Sequence, residues 1–330
     1  MIKMISVIVP TFNSERSIKA CLNSILNQNF KEKYEIIVVL DKRTNDKTLY
    51  IVREYKKNFK NIKLLICNRK GSGAARNFGV KYAKGKYILF TDSDCRVSRN
   101  WIRLLVTKLK KTKNNIAVIG GSDPFLRKKG FFNNLMRLDN KFRTSPKGGY
   151  TNFIDTDNFG IKSSIFKRIG GFDENLYAGE DVDFSSKIQK MGLKLYFDPK
   201  IKVYHDKNYP LFYFVKESYQ HSYDLANVWT KGHIKTGYYL KISLIIQPFI
   251  WVFFFLGILL GTWYKDALTL SLLSFLLILL LNLQEFLFFV RKKSLLFGFF
   301  SLPFLTIRSF FWFFGGVKAF LSYYLFKKIK

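Results

Sequence analysis

Asp92-Ser93-Asp94 follows directly on the apolar run Tyr87-Ile88-Leu89-Phe90, and two carboxylates on one tight loop can hold a divalent cation. A second feature lies just upstream. Asn68 to Gly73 is a glycine- and serine-rich turn carrying Arg69, and it leads into a helix-compatible stretch with Arg76. Turn amides, guanidiniums and paired carboxylates together suit a phosphorylated ligand carried with a metal: the carboxylates hold the ion, the ion screens the phosphates, and the cations take the remaining charge. A third group, Glu180-Asp181-Val182-Asp183, places three acids within four residues. Taken singly, each has a plainer explanation. A D-S-D sequence makes an Asx turn that caps a helix, and acids in a first helical turn favour the helix dipole.

The elements around these groups decide between the two explanations. Met4 to Val9 is a β-branched run closed by Pro10, and Tyr34 to Leu40 is a second such run ending at Asp41. Ile62 to Cys67 and Tyr87 to Phe90 follow, with helix-like segments at Ile18 to Leu26, up to about Lys57, and at Trp101 to Lys110. Ile116 to Gly121 and Leu193 to Phe197 are further strands, with Val203 to Asp206 in a loop after the last. This alternation predicts right-handed βαβ units in a mainly parallel, Rossmann-like sheet. In such a sheet ligands bind at the carboxyl ends of the strands, where the glycine turn and the Asp92 loop both fall. Ser122 to Tyr150 is irregular and basic, and reads as a flap over the crevice.

Fifty-five Lys and Arg stand against 23 Asp and Glu, a formal charge of +32, which implies polyanionic company such as nucleotides, lipid phosphates or membrane headgroups. No nucleic-acid-binding module accompanies that charge, so nucleic acid is not an expected partner. Cys21, Cys67 and Cys95 are scattered and odd in number, which reads as buried thiols rather than a disulfide framework. The first residues lack a stretch apolar enough for a signal peptide, so the first domain is expected in the cytoplasm.

Beyond about Tyr238 the composition changes to Phe, Leu and Ile. Ile242 to Tyr264 and Ala267 to Val290 would each run roughly 34–36 Å as helices, enough to cross a bilayer as a hairpin. Arg291-Lys292-Lys293 places the end of that hairpin on the cytoplasmic side, where Glu285 would snorkel toward water. Leu295 to Phe326 is interrupted by Pro303, Arg308 and Gly315-Gly316, and reads as re-entrant or interfacial half-helices. The aromatic and basic stretch from 208 to 240 reads equally as an interfacial helix or as a docking helix. The expected domains are therefore 1–207, catalytic; 208–240, amphipathic; and 241–330, membrane.

From Ile5 to Asp206 the chain resembles the family 2 glycosyltransferases. The resemblance rests on six motifs in order: Val9 to Asn13; Asp41 with Thr44, Asp46 and Thr48; Asn68 to Gly79; Asp92 to Asp94; Gly170 to Asp173; and Gly179 to Asp183. It implies a GT-A fold, inverting chemistry, a nucleotide-sugar donor (UDP- or GDP-linked) and Mn²⁺ or Mg²⁺. By the same resemblance Asp94 and His205 bind the metal, Asp92 holds ribose or a metal-bound water, and Asp181 is the general base with Glu180 orienting sugar or acceptor. Pro10, Thr11, Asn13 and Asp41 then hold the nucleoside, Arg69 and Arg76 contact donor phosphate or sugar, and Asn158 lies near the sugar. The family often carries two acids after the second strand, whereas here Lys42-Arg43 follow Asp41, which leaves the base open between uracil and guanine. The membrane segments imply a multi-pass enzyme working at the cytoplasmic face on a lipid-linked (polyprenyl- or dolichyl-phosphate) or glycan acceptor. A processive polysaccharide synthase and a non-catalytic membrane scaffold are the alternatives. The first lacks its Gln-x-x-Arg-Trp signature here, and the second leaves the acids unexplained.

Overall fold

The structure, a computed structural model, describes residues 4–112, 116–122, 130–144, 148–176, 179–205, 211–230 and 242–327. Residues 206–210 and 231–241, including Asp206, His233 and Lys235, lie outside the described residues, as do Tyr177 and Ala178. The chain divides into two compact units, Met1–Arg127 with Pro146–Lys207, and Lys128–Ser145 with Asn208–Lys330.

The first unit opens with β1 (Ile5–Thr11), α1 (Ile18–Leu26), β2 (Tyr34–Asp41), α2 (Thr48–Asn58), β3 (Ile62–Cys67), α3 (Ser72–Lys81) and β4 (Tyr87–Phe90). It continues with β5 (Cys95–Val97), α4 (Trp101–Lys111) and β6 (Ile116–Ser122). After α5 (Phe131–Thr144), which belongs to the second unit, come β7 (Gly149–Thr151), β8 (Phe159–Lys162), α6 (Ser163–Ile169), α7 (Glu180–Lys190) and β9 (Lys194–His205). The sheet runs β3-β2-β1-β4-β8-β6-β9-β5, with β7 paired to β9. Its longer ladders are parallel, and β8 enters antiparallel between β4 and β6.

All seven residues of β1 are buried, as a parallel strand covered on both faces requires. Because successive side chains point to opposite faces, Val7, Val9, Ile36 and Val38 join Leu22 of α1 and Leu105 of α4 in one core. Ile8, Ile37, Val39 and Ile88 join Val80 of α3 and Ile188 of α7 in the other. Helices on both faces leave the carboxyl edge of β3, β2, β1 and β4 open, and Thr11, Asp41 and the Asp92 loop all emerge there.

Two expectations change. Val203 to His205 is strand rather than loop: β9 absorbs a register shift opposite Gly121 and Ser122, then continues antiparallel to β5, so that His205 faces Cys95. The stretch from 122 to 150, read as irregular, contains helix α5, with Leu135, Leu138 and Phe142 buried along one side. Its polar residues are dense enough to hide that spacing.

The second unit comprises α5, α8 (Leu211–Thr230), α9 (Ile242–Gly261), α10 (Leu268–Lys292) and α11 (Leu295–Lys327). Among the described residues, three segments are long and apolar enough to cross a membrane: Ser243–Gly261, Lys265–Lys292 and Leu295–Leu325. The last corrects the half-helix expectation, since α11 is one continuous helix of 33 residues that includes Pro303. Gly315 does not break it because it serves as a contact point: a Cβ there would meet Tyr219 O of α8 at 2.3 Å. The Ser222 hydroxyl donates to Trp312 O at 2.5 Å across the same contact, so α8 is docked on α11. Glu285 does not snorkel. It is buried and ion-paired with Arg308 of α11, which also binds Asp139 of α5.

Candidate active site

The site begins where β1 ends. The Thr11 hydroxyl donates back to Val9 O at 3.1 Å beside buried Pro10, and the chain then turns at Asn13 with φ 44°. Asn tolerates the left-handed region because its short amide can bond locally. Here Asn13 Oδ1 accepts from Asn45 N at 3.0 Å, tying the first loop to the second. Ser14 strengthens this corner, its backbone N–H donating to Thr48 Oγ1 at 2.7 Å and its hydroxyl lying 2.7 Å from that of Ser93.

Asp41 closes β2 and accepts from the Arg43 backbone N–H at 2.9 Å and from Arg43 Nε at 2.8 Å. These bonds to Arg43 hold its carboxyl below the usual range against the opposing effect of burial. Arg43 itself lies over the Phe12 ring at 5.9 Å. In sequence Arg43 stands out only as a departure from the family pattern; the structure makes it the partner of Asp41.

Arg76 is the hub. Helix α3 starts after Gly71, whose φ of 104° suits glycine, and Gly73 lets α3 close on the acidic cluster, since a Cβ there would meet Phe172 Cβ at 3.2 Å and Glu180 Cβ at 3.4 Å. The guanidinium, 1% exposed as a residue, donates to Asp92 Oδ1 at 2.7 Å and to Glu180 Oε1 at 2.8 Å, with the Phe172 ring 5.7 Å away. Ser72 also donates to Glu180. Burial opposes the charge, but Asp92 and Glu180 outweigh it and keep Arg76 more basic than an ordinary arginine. Arg69, by contrast, is exposed and pairs with Glu174.

Asp181 follows Glu180 at the start of α7 and accepts from the Val182 N–H at 2.8 Å. Although the residue is only partly covered, its carboxyl is held well above the usual range, first by desolvation and then by the charges of Glu180 and Asp155. A carboxylate raised this way is a stronger proton acceptor than an ordinary one.

Asp94 and His205 meet across the β5–β9 ladder, with His205 Nε2 3.3 Å from Asp94 Oδ1 and His205 Nδ1 3.3 Å from Asp157 Oδ2. Oxygen and imidazole donors at that separation fit a divalent cation, and a carboxylate behind the imidazole is the usual orienting partner. Asp157 belongs to none of the six motifs, and its position two residues before strand β8 is the only sequence signal for it. Asn158 is fully buried, with Oδ1 accepting from Trp101 Nε1 at 2.8 Å and Nδ2 donating to Ile201 O at 3.2 Å. Both ends of that amide thus serve the fold. The structure brings Thr11, Asn13, Asp41, Arg76, Asp92, Asp94, Glu180, Asp181 and His205 to the carboxyl edge of one sheet, whereas the Arg69 side chain lies at its exposed rim.

A mixed sheet of this order with acids gathered at its carboxyl edge is the arrangement of a GT-A fold. The family model "Glycosyl transferase family 2" matches residues 6–170, and the chain belongs to that family. Glycosyltransferase AglE of Haloferax volcanii is 28% identical over 200 residues, 58% of this chain and 64% of AglE. A Methanococcus voltae protein, named as a dolichyl N-acetyl-alpha-D-glucosaminyl phosphate glucuronosyltransferase, is 28% identical over 60% of this chain and 65% of its own length. The chain thus spans slightly less than two thirds of these relatives. Among solved structures, the mannosyltransferase PcManGT from Pyrobaculum calidifontis, in complex with GDP-Man and Mn²⁺, superposes with a TM-score of 0.62 at 17% identity, over 96% of this chain and 87% of that one. S. aureus TarS 1-349 in complex with UDP-GlcNAc gives 0.54 at 19% identity, over 97% of this chain and 91% of that one.

Proposed function

We propose that the protein is a membrane-anchored, metal-dependent, inverting glycosyltransferase that moves a sugar from a UDP- or GDP-linked donor to a lipid-linked or glycan acceptor. The observation that carries this reading is the Arg76 bridge, which joins the Asp92 loop to Glu180 and so fixes the donor-side acids beside the raised carboxyl of Asp181. The relative named for a dolichyl-phosphate-linked substrate supports the lipid-linked acceptor, and the three apolar helices support the anchor.

In this reading Thr11, Asn13 and Asp41 bind the nucleoside at the ends of β1 and β2. Asp181 takes the proton from the acceptor hydroxyl as it attacks the anomeric carbon opposite the departing diphosphate. Glu180, paired with Arg76, orients the sugar or acceptor. Asp94 and His205 would hold Mn²⁺ or Mg²⁺, whose charge offsets that developing on the nucleotide. The crevice is assigned to the cytoplasmic side from the basic residues that follow α10.

Detergent-purified full-length protein, assayed against UDP- and GDP-sugars with Mn²⁺ or EDTA and membrane lipid extract as acceptor, tests the assignment. Metal-dependent release of one nucleotide, lost in Asp181→Asn, supports it. Equal release by both proteins, or none from any donor, overturns it.

A further inference from the structure

Asp94 and His205 are not the only metal-ligating side chains at their end of the sheet. Cys95 lies directly opposite His205 in the antiparallel β5–β9 pair, so the two side chains share one face, and the thiol lies 3.7 Å from Asp94 Oδ1. One ligand atom from each of Asp94, Cys95 and His205 falls within 4.8 Å of the others. With Zn–O and Zn–N bonds near 2.0–2.1 Å and Zn–S near 2.3 Å, neighbouring ligands of a tetrahedral ion lie roughly 3.3–3.6 Å apart. The Asp94–His205 separation of 3.3 Å and the Cys95–Asp94 separation of 3.7 Å are close to that edge length before any ion has drawn the groups together. Asp157 completes the pattern, standing 3.3 Å behind the other imidazole nitrogen in a carboxylate–histidine–metal arrangement.

We propose that Cys95 is a third protein ligand of this cation site, which makes the site a tetrahedral Asp-Cys-His set with one position open and gives it a preference for soft ions such as Zn²⁺ and Co²⁺ over Mg²⁺. The proposal rests on the reading of Asp94 and His205 as metal-holding residues. Thiolate selects borderline and soft cations, and affinity rises from Mn²⁺ through Co²⁺ at nitrogen, oxygen and sulfur sites alike. On binding, the thiol releases one proton to solvent and its sulfur takes the metal, so the ion exchanges for H⁺ with no redox change. Asp94 keeps 35% of its side chain accessible, so the site is reachable from solvent at that ligand. A soft ion seated there would compete with the Mn²⁺ or Mg²⁺ of the transferase.

Absorption titration of EDTA-stripped, full-length protein with Co²⁺ reads the ligand set without reference to activity. Sulfur ligation gives an intense near-ultraviolet thiolate-to-cobalt band, retained in Cys67→Ser, lost in Cys95→Ser, and displaced by Zn²⁺ but not by Mg²⁺. Asp157→Asn, which alters only the far side of the imidazole, should keep the band and weaken Co²⁺ by roughly 10–100-fold. Stoichiometric Co²⁺ bound without the band overturns the role of Cys95 and leaves Asp94 and His205 as metal ligands. Absence of any Co²⁺ binding overturns both.

Discussion

Arg76 and Arg308 are built alike and differ in what surrounds their partners. Each is a fully buried guanidinium held by two carboxylates from other elements: Asp92 and Glu180 for Arg76, Glu285 and Asp139 for Arg308. The Asp92 side chain, however, keeps 31% of its surface, whereas those of Glu285 and Asp139 keep 1% and 2%. Bare carboxylates buried in low dielectric would be costly, and one shared cation relieves both in each case. In the catalytic unit the cation sits behind acids that still face a crevice. In the second unit the set is sealed, so its work ends with joining α5, α10 and α11. The same ionic device therefore supports the candidate site in one unit and a helix junction in the other.

The largest expected effect falls on the crevice alone. Asp181→Asn removes the proposed proton acceptor and should lower kcat by roughly 10²–10⁴-fold, with donor binding retained in equilibrium measurements. No substitution at Asp139, Glu285 or Arg308 should lower kcat by a comparable factor while the protein remains folded.

Breaking either bridge should cost stability, and the sealed one more. Arg308→Met leaves two buried carboxylates without their cation, a loss of roughly 3–5 kcal/mol that denaturant unfolding would read, whereas Arg76→Met leaves Asp92 31% exposed to water and should cost less. Neutralising the partners sharpens the contrast. Arg308→Met with Glu285→Gln and Asp139→Asn should regain most of the stability and the activity, because a complete buried ionic set can often be replaced at little cost. The matching triple change at Arg76, Asp92 and Glu180 should regain stability only. Recovered activity in that second variant would mean that the Arg76 set is structural too.

The pH profile separates the two bridges at a smaller scale. Asp181 must be ionised to accept a proton, and its pKa is raised by burial, Glu180 and Asp155, so activity should fall as pH drops through an acid limb lying above the ordinary carboxylate range. Arg76 is among the groups that lower that pKa, so Arg76→Met should move the limb to higher pH. Arg308→Met should leave it in place.

The ends of β1, β2 and β4, with the acids that follow them, could be read from sequence because a buried parallel strand is a run of β-branched residues and a site residue stands at its end. Long-range pairing could not. Arg76 meets Glu180 across 104 residues, and nothing local distinguishes it from the solvated arginine of an ordinary helix. His205 was legible as a metal candidate, but its placement opposite Cys95 depends on a register shift in β9 that no local pattern announces. Helix α5 was missed because its apolar side is completed by partners in α10 and α11, such as Phe288 for Phe142 and Phe304 for Phe131. The continuity of α11 escaped for the related reason that Gly315 is a contact, and only the presence of α8 reveals it.

Arg69 supplies the smallest effect and the cleanest comparison with Arg76, since the two stand seven residues apart at the same turn. Its side chain is 74% exposed, and its partner Glu174 also accepts from Asn77 Nδ2 at 3.0 Å, so loss of the pair leaves no buried charge stranded. Exposed pairs of this kind contribute about 0–1 kcal/mol, and Arg69→Ala should leave unfolding almost unchanged. Any effect on catalysis then reports contact with the donor directly. A raised KM for the nucleotide sugar at constant kcat would mark Arg69 as a phosphate or sugar contact, and unchanged KM would assign it to the surface. Arg76→Met cannot be read so simply, because it removes the support of Asp92 and Glu180 together with any contact of its own.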